Sequence, residues 1–136
     1  MGKIDVKSRV QVDQLFTKIS RNANASIQGV NVSGFDGQSF LIDVGTHTAD
    51  DFDVTLQHRD GDGDWEAIPH NQLDTTEDLT DSKVTVGEDQ EDSQIYIGYT
   101  GIKEQIGAVL TRNDSAVIVF GVSVIKGSPK QFPVNV

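Results

Sequence analysis

The sequence has no cysteine. That absence excludes disulfide cross-links, thiolate metal sites and cysteine nucleophiles. Proline is scarce, with three in 136 residues, so a proline-rich rod or linker is excluded as well. Long apolar runs are missing. The longest spans residues 116–122, far short of the roughly 20 residues that a membrane-spanning helix needs. No apolar signal core follows Met1, and Val6 stands where a myristoylation signal needs Ser or Thr.

Positive charge is also in short supply. Eleven Lys and Arg face 21 Asp and Glu, for a net charge of −10. The imbalance is local. Residues 36–92 hold 17 acidic side chains against Arg59 and Lys83, whereas residues 1–21 are net +3 and residues 93–136 net +2. So acidic a centre repels phosphate backbones and argues against extended nucleic-acid binding. It suits a solvated surface, and also life in concentrated salt, where self-repulsion is screened. The basic ends would dock on an acidic neighbour while the centre faces solvent.

What is present is β grammar. A chain of 136 residues with 36% hydrophobic side chains makes one domain with its own core. Short apolar stretches alternate with turn residues. Strands are expected over 26–32, 39–44 (Phe40, Ile42 and Val44 on one face), 53–59 (Val54, Leu56 and His58 on one face), 82–86 and 94–99. A turn at 60–64 joins 53–59 to 65–68 in a hairpin. A second hairpin is expected between 105–111 and 116–125, across Arg112-Asn113-Asp114-Ser115. Residues 116–120 are apolar on both faces, as in a central strand or one lying against a partner. Residues 69–81 read as a polar loop with at most one helical turn near 71–73. The stretch around Val10, Val12, Leu15, Phe16 and Ile19 fits either period. The fold class is therefore all-β, an antiparallel sandwich or barrel of seven to nine short strands. Residues 1–25 form an N-terminal arm or edge strand, 26–127 the β domain and 128–136 a C-terminal tail.

Little points to chemistry. Asp60, Asp62 and Asp64 alternate with glycine and are candidate calcium ligands, since calcium takes six to eight oxygens. The match to a helix-loop-helix calcium site fails, because Trp65 and Asn71 stand where Gly and a bidentate Glu belong. A glycine-rich hairpin turn explains the same residues. His47, His58 and His70 match no zinc spacing. His58 is expected to be a hydrogen-bonded histidine on a strand's inner face. No Gly-x-Ser-x-Gly elbow or phosphate-binding glycine loop occurs. Trp65 and Tyr99 offer a sugar-stacking pair, or else packing aromatics. No enzyme activity and no cofactor other than calcium is expected.

Four pieces occur in order: residues 34–45 (Gly34-Phe35-Asp36-Gly37 leading into Phe40-Leu41-Ile42-Asp43-Val44-Gly45), residues 54–65 (Leu56-Gln57, Asp60-Gly61 and Trp65), residues 95–101 (Gly98-Tyr99-Thr100-Gly101) and residues 120–129 (ending Gly127-Ser128-Pro129). The arrangement resembles small head-associated proteins of tailed bacterial and archaeal viruses, over residues 26–133. The resemblance implies a capsid decoration protein or another minor virion component, on the particle surface and made in the host cytoplasm. The acidic insertions around 74–81 and 88–92 depart from that pattern and suggest a halophilic host. The implied partners are the major capsid protein and further copies of the chain, with a trimer favoured over a pentamer because capsid lattices offer threefold positions. Val117, Val119, Phe120, Phe132 and Val134 are the expected interface residues.

Overall fold

The computed structural model describes residues 10–35, 37–75, 79 and 81–127. Eight antiparallel strands form one sheet: β1 (Val10–Arg21), β2 (Ala25–Asn31), β3 (Gly37–Arg59), β4 (Glu66–Ala67), β5 (Leu73–Asp74), β6 (Lys83–Val86), β7 (Gln94–Tyr99) and β8 (Gln105–Gly127). The all-β expectation holds. Two of the expected breaks do not. Residues 39–44 and 53–59 belong to one strand, β3, and the expected hairpin at 112–115 is the middle of another, β8. Each has 23 residues.

A straight strand of that length would run about 75 Å. A compact chain of this size has a radius of gyration of only about 14 Å. The pair must therefore bend, and it bends where the sequence loosens the ladder. Gly37 to Val44 pairs with Gly127 to Phe120 in regular register, and Asp51 to Arg59 pairs with Asn113 to Gln105. Between these stretches the register slips three times. Asp50 (φ 51°) and Asp114 (φ 53°) take left-handed backbone there, which Asp tolerates better than most side chains. Their surroundings hold the slip: Asp50 Oδ2 accepts the Ser115 N–H at 3.0 Å, and Asp51 Oδ1 accepts the Asn113 amide at 2.7 Å. Arg112-Asn113-Asp114-Ser115 is thus a bulged bend rather than a hairpin.

This crease folds the sheet into two leaves. The first has the order β1-β8-β3-β7-β5, using the later half of β8 and the earlier half of β3. The second sets β2 against the early half of β8 and β6 and β4 against the late half of β3. Outside the crease, even-numbered residues of both long strands point inward. Phe40, Ile42, Val44, Phe52, Val54 and Leu56 of β3 meet Ile106, Ala108, Leu110, Ile118, Phe120, Val122 and Val124 of β8, all buried. Phe52 and Phe120 cross edge to face behind the crease, with centroids 5.1 Å apart. Residues 10–21 are an integral edge strand, and Phe16 reaches the core. The helical turn expected near 71–73 is a 3-10 turn at His70–Gln72.

Candidate functional site

The end opposite the crease, the mouth, gathers the polar side chains that look most like chemistry. His58 closes the inward row of β3 and Tyr99 that of β7, so the two meet across the leaves. Their Nδ1 and Oη lie 2.8 Å apart, both buried. The Tyr99 oxygen also accepts the Lys103 N–H at 3.1 Å. The hydroxyl is thus shared between the His58 imidazole and the Lys103 N–H. Burial pushes the His58 pKa down, and Lys103 adds to this. Burial pushes the Tyr99 pKa up. Both groups are neutral, and the hydroxyl is spent on two internal bonds. The pair acts as a clamp between leaves and offers no activated nucleophile.

Beside it Lys126, buried in the mouth, pairs with Asp13 at 2.7 Å, donates to the Asn31 carbonyl at 3.3 Å and lies 4.9 Å from the Phe35 ring centroid. Gln38 donates to the carbonyls of Val32 and Phe35. A groove of about 410 Å³ runs in front of these contacts, between Val32 to Phe35 and Tyr99 to Glu104.

The candidate calcium ligands do not converge. Asp60 Oδ1 accepts the Glu104 N–H at 3.0 Å, its Oδ2 lies 3.5 Å from Lys103 Nζ, and Glu104 accepts the Gly61 N–H at 2.8 Å. These bonds stitch the β3–β4 turn to the segment before β8. Among the described residues, no three His, Asp or Glu side chains are grouped to hold a metal, and Asp62 and Asp64 are exposed. Trp65 is no open platform. The Arg59 guanidinium lies 4.6 Å from its ring centroid, and a β-carbon built on Gly29 would fall 2.4 Å from Cη2. His47 Nε2 bonds the Asp50 carbonyl at 2.7 Å and belongs to the crease, while His70 is exposed. The three histidines are thus dispersed.

The expected interface residues separate. Phe120 is fully buried against Phe52 and is a core residue, because its even position on β8 faces inward. Val117 and Val119 lie on the outer face and are partly covered. Phe132 and Val134 fall outside the described residues. Among the described residues the exposed large apolar side chains are Val12, Ile19, Tyr96 and Ile102, and two of them have half-buried apolar partners. On the first leaf's outer face Val12 pairs with Ile125, and Leu41 pairs with Tyr96 one row further in. Ile125 opposite Ser39 and Leu41 opposite Ser123 make the two pairs diagonal neighbours across adjoining strands. Val12 is 61% exposed and Tyr96 55%. For Leu41, Tyr96 and Ile125 strand parity is the signal, since their neighbours along the strand are buried.

Comparison with family models, curated proteins and solved structures finds no match to this chain.

Proposed function

We propose that this chain is a virion structural protein: a decoration protein that adheres to the head of a tailed virus and stabilises it, performing no reaction. The observation that carries the reading is the outer face of the first leaf. There the pair Val12 and Ile125 lies diagonally beside the pair Leu41 and Tyr96, with Gln14, Ser39 and Ser123 completing the rows, on a chain of net charge −10. Apolar side chains grouped on an exposed face and rimmed by polar residues mark interaction surfaces when the patch is contiguous. The reading is supported by the commitment of the candidate reactive groups, His58, Tyr99 and Asp60, to internal bonds. The order of the hairpin, Gly-Tyr and Gly-x-Pro segments supports it as well, through its resemblance to head-associated proteins. The major capsid protein is the proposed partner, and the acidic surface suits a host living in salt. Quantitative mass spectrometry of purified virions tests the proposal. A copy number comparable with the capsid protein is expected. Absence, or a few copies per particle, overturns it, and imaging of labelled particles then distinguishes a tail position.

A further inference from the structure

The His58–Tyr99 pair also holds down the chain that follows β7. Residues 100–104 form a strap across the mouth, and none of their side chains is buried. Polar contacts fasten it instead. The Thr100 N–H donates to the Gln72 carbonyl at 2.9 Å, the Lys103 N–H to Tyr99 Oη at 3.1 Å and the Glu104 N–H to Asp60 Oδ1 at 3.0 Å, while the Glu104 carbonyl accepts the Val32 N–H at 2.7 Å. The strap lies close on what it covers, since a β-carbon on Gly101 would fall 2.4 Å from Tyr99 Oη. Ile102, within it, is 95% exposed. A segment held by a few polar bonds and no apolar burial belongs to the least stable part of a fold.

The surroundings of His58 suit a neutral ring only. The residue is 3% exposed. Ile106 stands opposite it on β8, and Leu56 precedes it in the inward row of β3. Tyr99 of β7 meets its ring edge to face, with centroids 5.7 Å apart. Three charged groups face it: Lys103 from the strap, Asp60 from the β3–β4 turn and Glu66 from β4. Lys103 carries the repelling sign. Asp60 is engaged with Lys103 and the Glu104 N–H, and among the described residues His58 takes part in no ion pair. A protonated imidazole has two donors and no acceptor. Buried here its charge is neither solvated nor paired, which is costly. The ring escapes that cost by turning to solvent, and it then gives up Tyr99 Oη, the group that holds the Lys103 N–H.

We propose that the 100–104 strap is a proton-operated latch: protonation of His58 breaks its contact with Tyr99, and the strap lifts from the mouth while the two-leaved body stays folded. The body has support of its own. Phe52 against Phe120 fills the crease, and the Lys126–Asp13 contact and the Val10–Gly127 pair hold the far side of the mouth without His58. The direction follows from linkage. Burial and Lys103 lower the His58 pKa in the strapped form, whereas the lifted form binds the proton near the ordinary value of about 6.5. The latch is therefore shut above that pH and opens progressively below it.

Amide hydrogen exchange of the full chain, followed by NMR between about pH 4 and 7, tests this. Protection factors, which remove the intrinsic pH dependence of exchange, are expected to fall toward acid at Lys103 and Glu104. The fall keeps step with the titration of the His58 ring and reaches at most about tenfold per pH unit, the limit for one linked proton. The ladder amides of β3 and β8 hold their protection over the same range. His58→Gln, which takes up no proton, abolishes the pH step at Lys103. Tyr99→Phe leaves the Lys103 N–H equally poorly protected at every pH. Circular dichroism melts check that both variants are folded, and the wild-type and Tyr99→Phe profiles decide the matter if His58→Gln is not. A His58 that stays neutral until the whole chain unfolds overturns the proposal, as does loss of strap and ladder protection together. So does a strap unchanged while His58 titrates, or a pH step at Lys103 that survives in either folded variant. None of these outcomes bears on copy number in virions, so the latch and the virion reading fail separately.

Discussion

The crease and the mouth close the same two leaves by opposite means. At the crease the chain itself is continuous: β3 and β8 pass from one leaf to the other, and Phe52 against Phe120 fills the fold behind the bend. At the mouth the leaves are separate strand ends, held by polar contacts. His58 bonds Tyr99, and Lys126 spans from Asp13 to the Asn31 carbonyl. Apolar packing is tolerant of geometry and insensitive to pH. A buried hydrogen-bonded clamp is directional, and leaving one of its partners alone is costly. The fold therefore places its generic stabilisation at one end and its specific, titratable stabilisation at the other.

Four experiments break or sharpen that contrast. The largest effect is expected at the crease. Phe120→Ala opens a cavity beside Phe52 and costs about 3–5 kcal/mol in urea unfolding, enough to threaten a domain of this size. At the mouth, Tyr99→Phe removes the hydroxyl that satisfies His58 Nδ1 and the Lys103 N–H, and costs about 1–3 kcal/mol by the same measurement. A loss there equal to that of Phe120→Ala would erase the distinction.

The third effect depends on pH. Burial lowers the pKa of His58 in the folded chain, so below the ordinary value of about 6.5 the unfolded chain takes up a proton that the folded one refuses. The clamp's stability is whole above pH ~6.5 and declines as the pH falls from there toward the lowered folded value. Unfolding free energies at successive pH values are expected to show this slope in the wild type and to lose it in His58→Gln. The smallest effect is electrostatic. Six exposed carboxylates, Asp50, Glu88, Asp89, Glu91, Asp92 and Asp114, gather at the crease of a chain of net charge −10, so added salt is expected to raise Tm, and Asp89→Asn to raise Tm by an amount worth a few tenths of a kcal/mol in dilute salt only. A stabilisation that persists in concentrated salt would show that the carboxylate acts through something other than charge.

The class of fold was legible because alternation is a local signal. Residues 94–99 were read to the residue, as was the inward row Val54, Leu56 and His58. Continuity was not legible. Arg112-Asn113-Asp114-Ser115 has the composition of a hairpin turn. Whether such residues reverse the chain or merely bulge it depends on the strand beside them, and β3 lies 62 positions away at its Asp51–Asn113 contact. The same distance hid the mouth. Nothing near His58 in sequence announces Tyr99, 41 residues on. The Asp60-Gly61-Asp62-Gly63-Asp64 stretch invites a metal when read locally, and only Glu104, 44 residues away, reveals that its first carboxylate is already engaged. Phe120 was misplaced because a run apolar on both faces does not declare which face is inside.

The pairing of Val10 with Gly127 also fixes how the body responds to tension. β1 and β8 are antiparallel, and force applied through the two flanking segments would enter both at the same end of the ladder. The load would fall on one hydrogen-bonded pair at a time, as in a zipper, instead of being shared along the strand as in shear. β1 would peel from β8 first, starting beside the Lys126–Asp13 contact. Pulled by its flanks the molecule would yield gently and in sequence, while a load carried across the crease, along β3 and β8 together, would meet the whole length of the two longest strands.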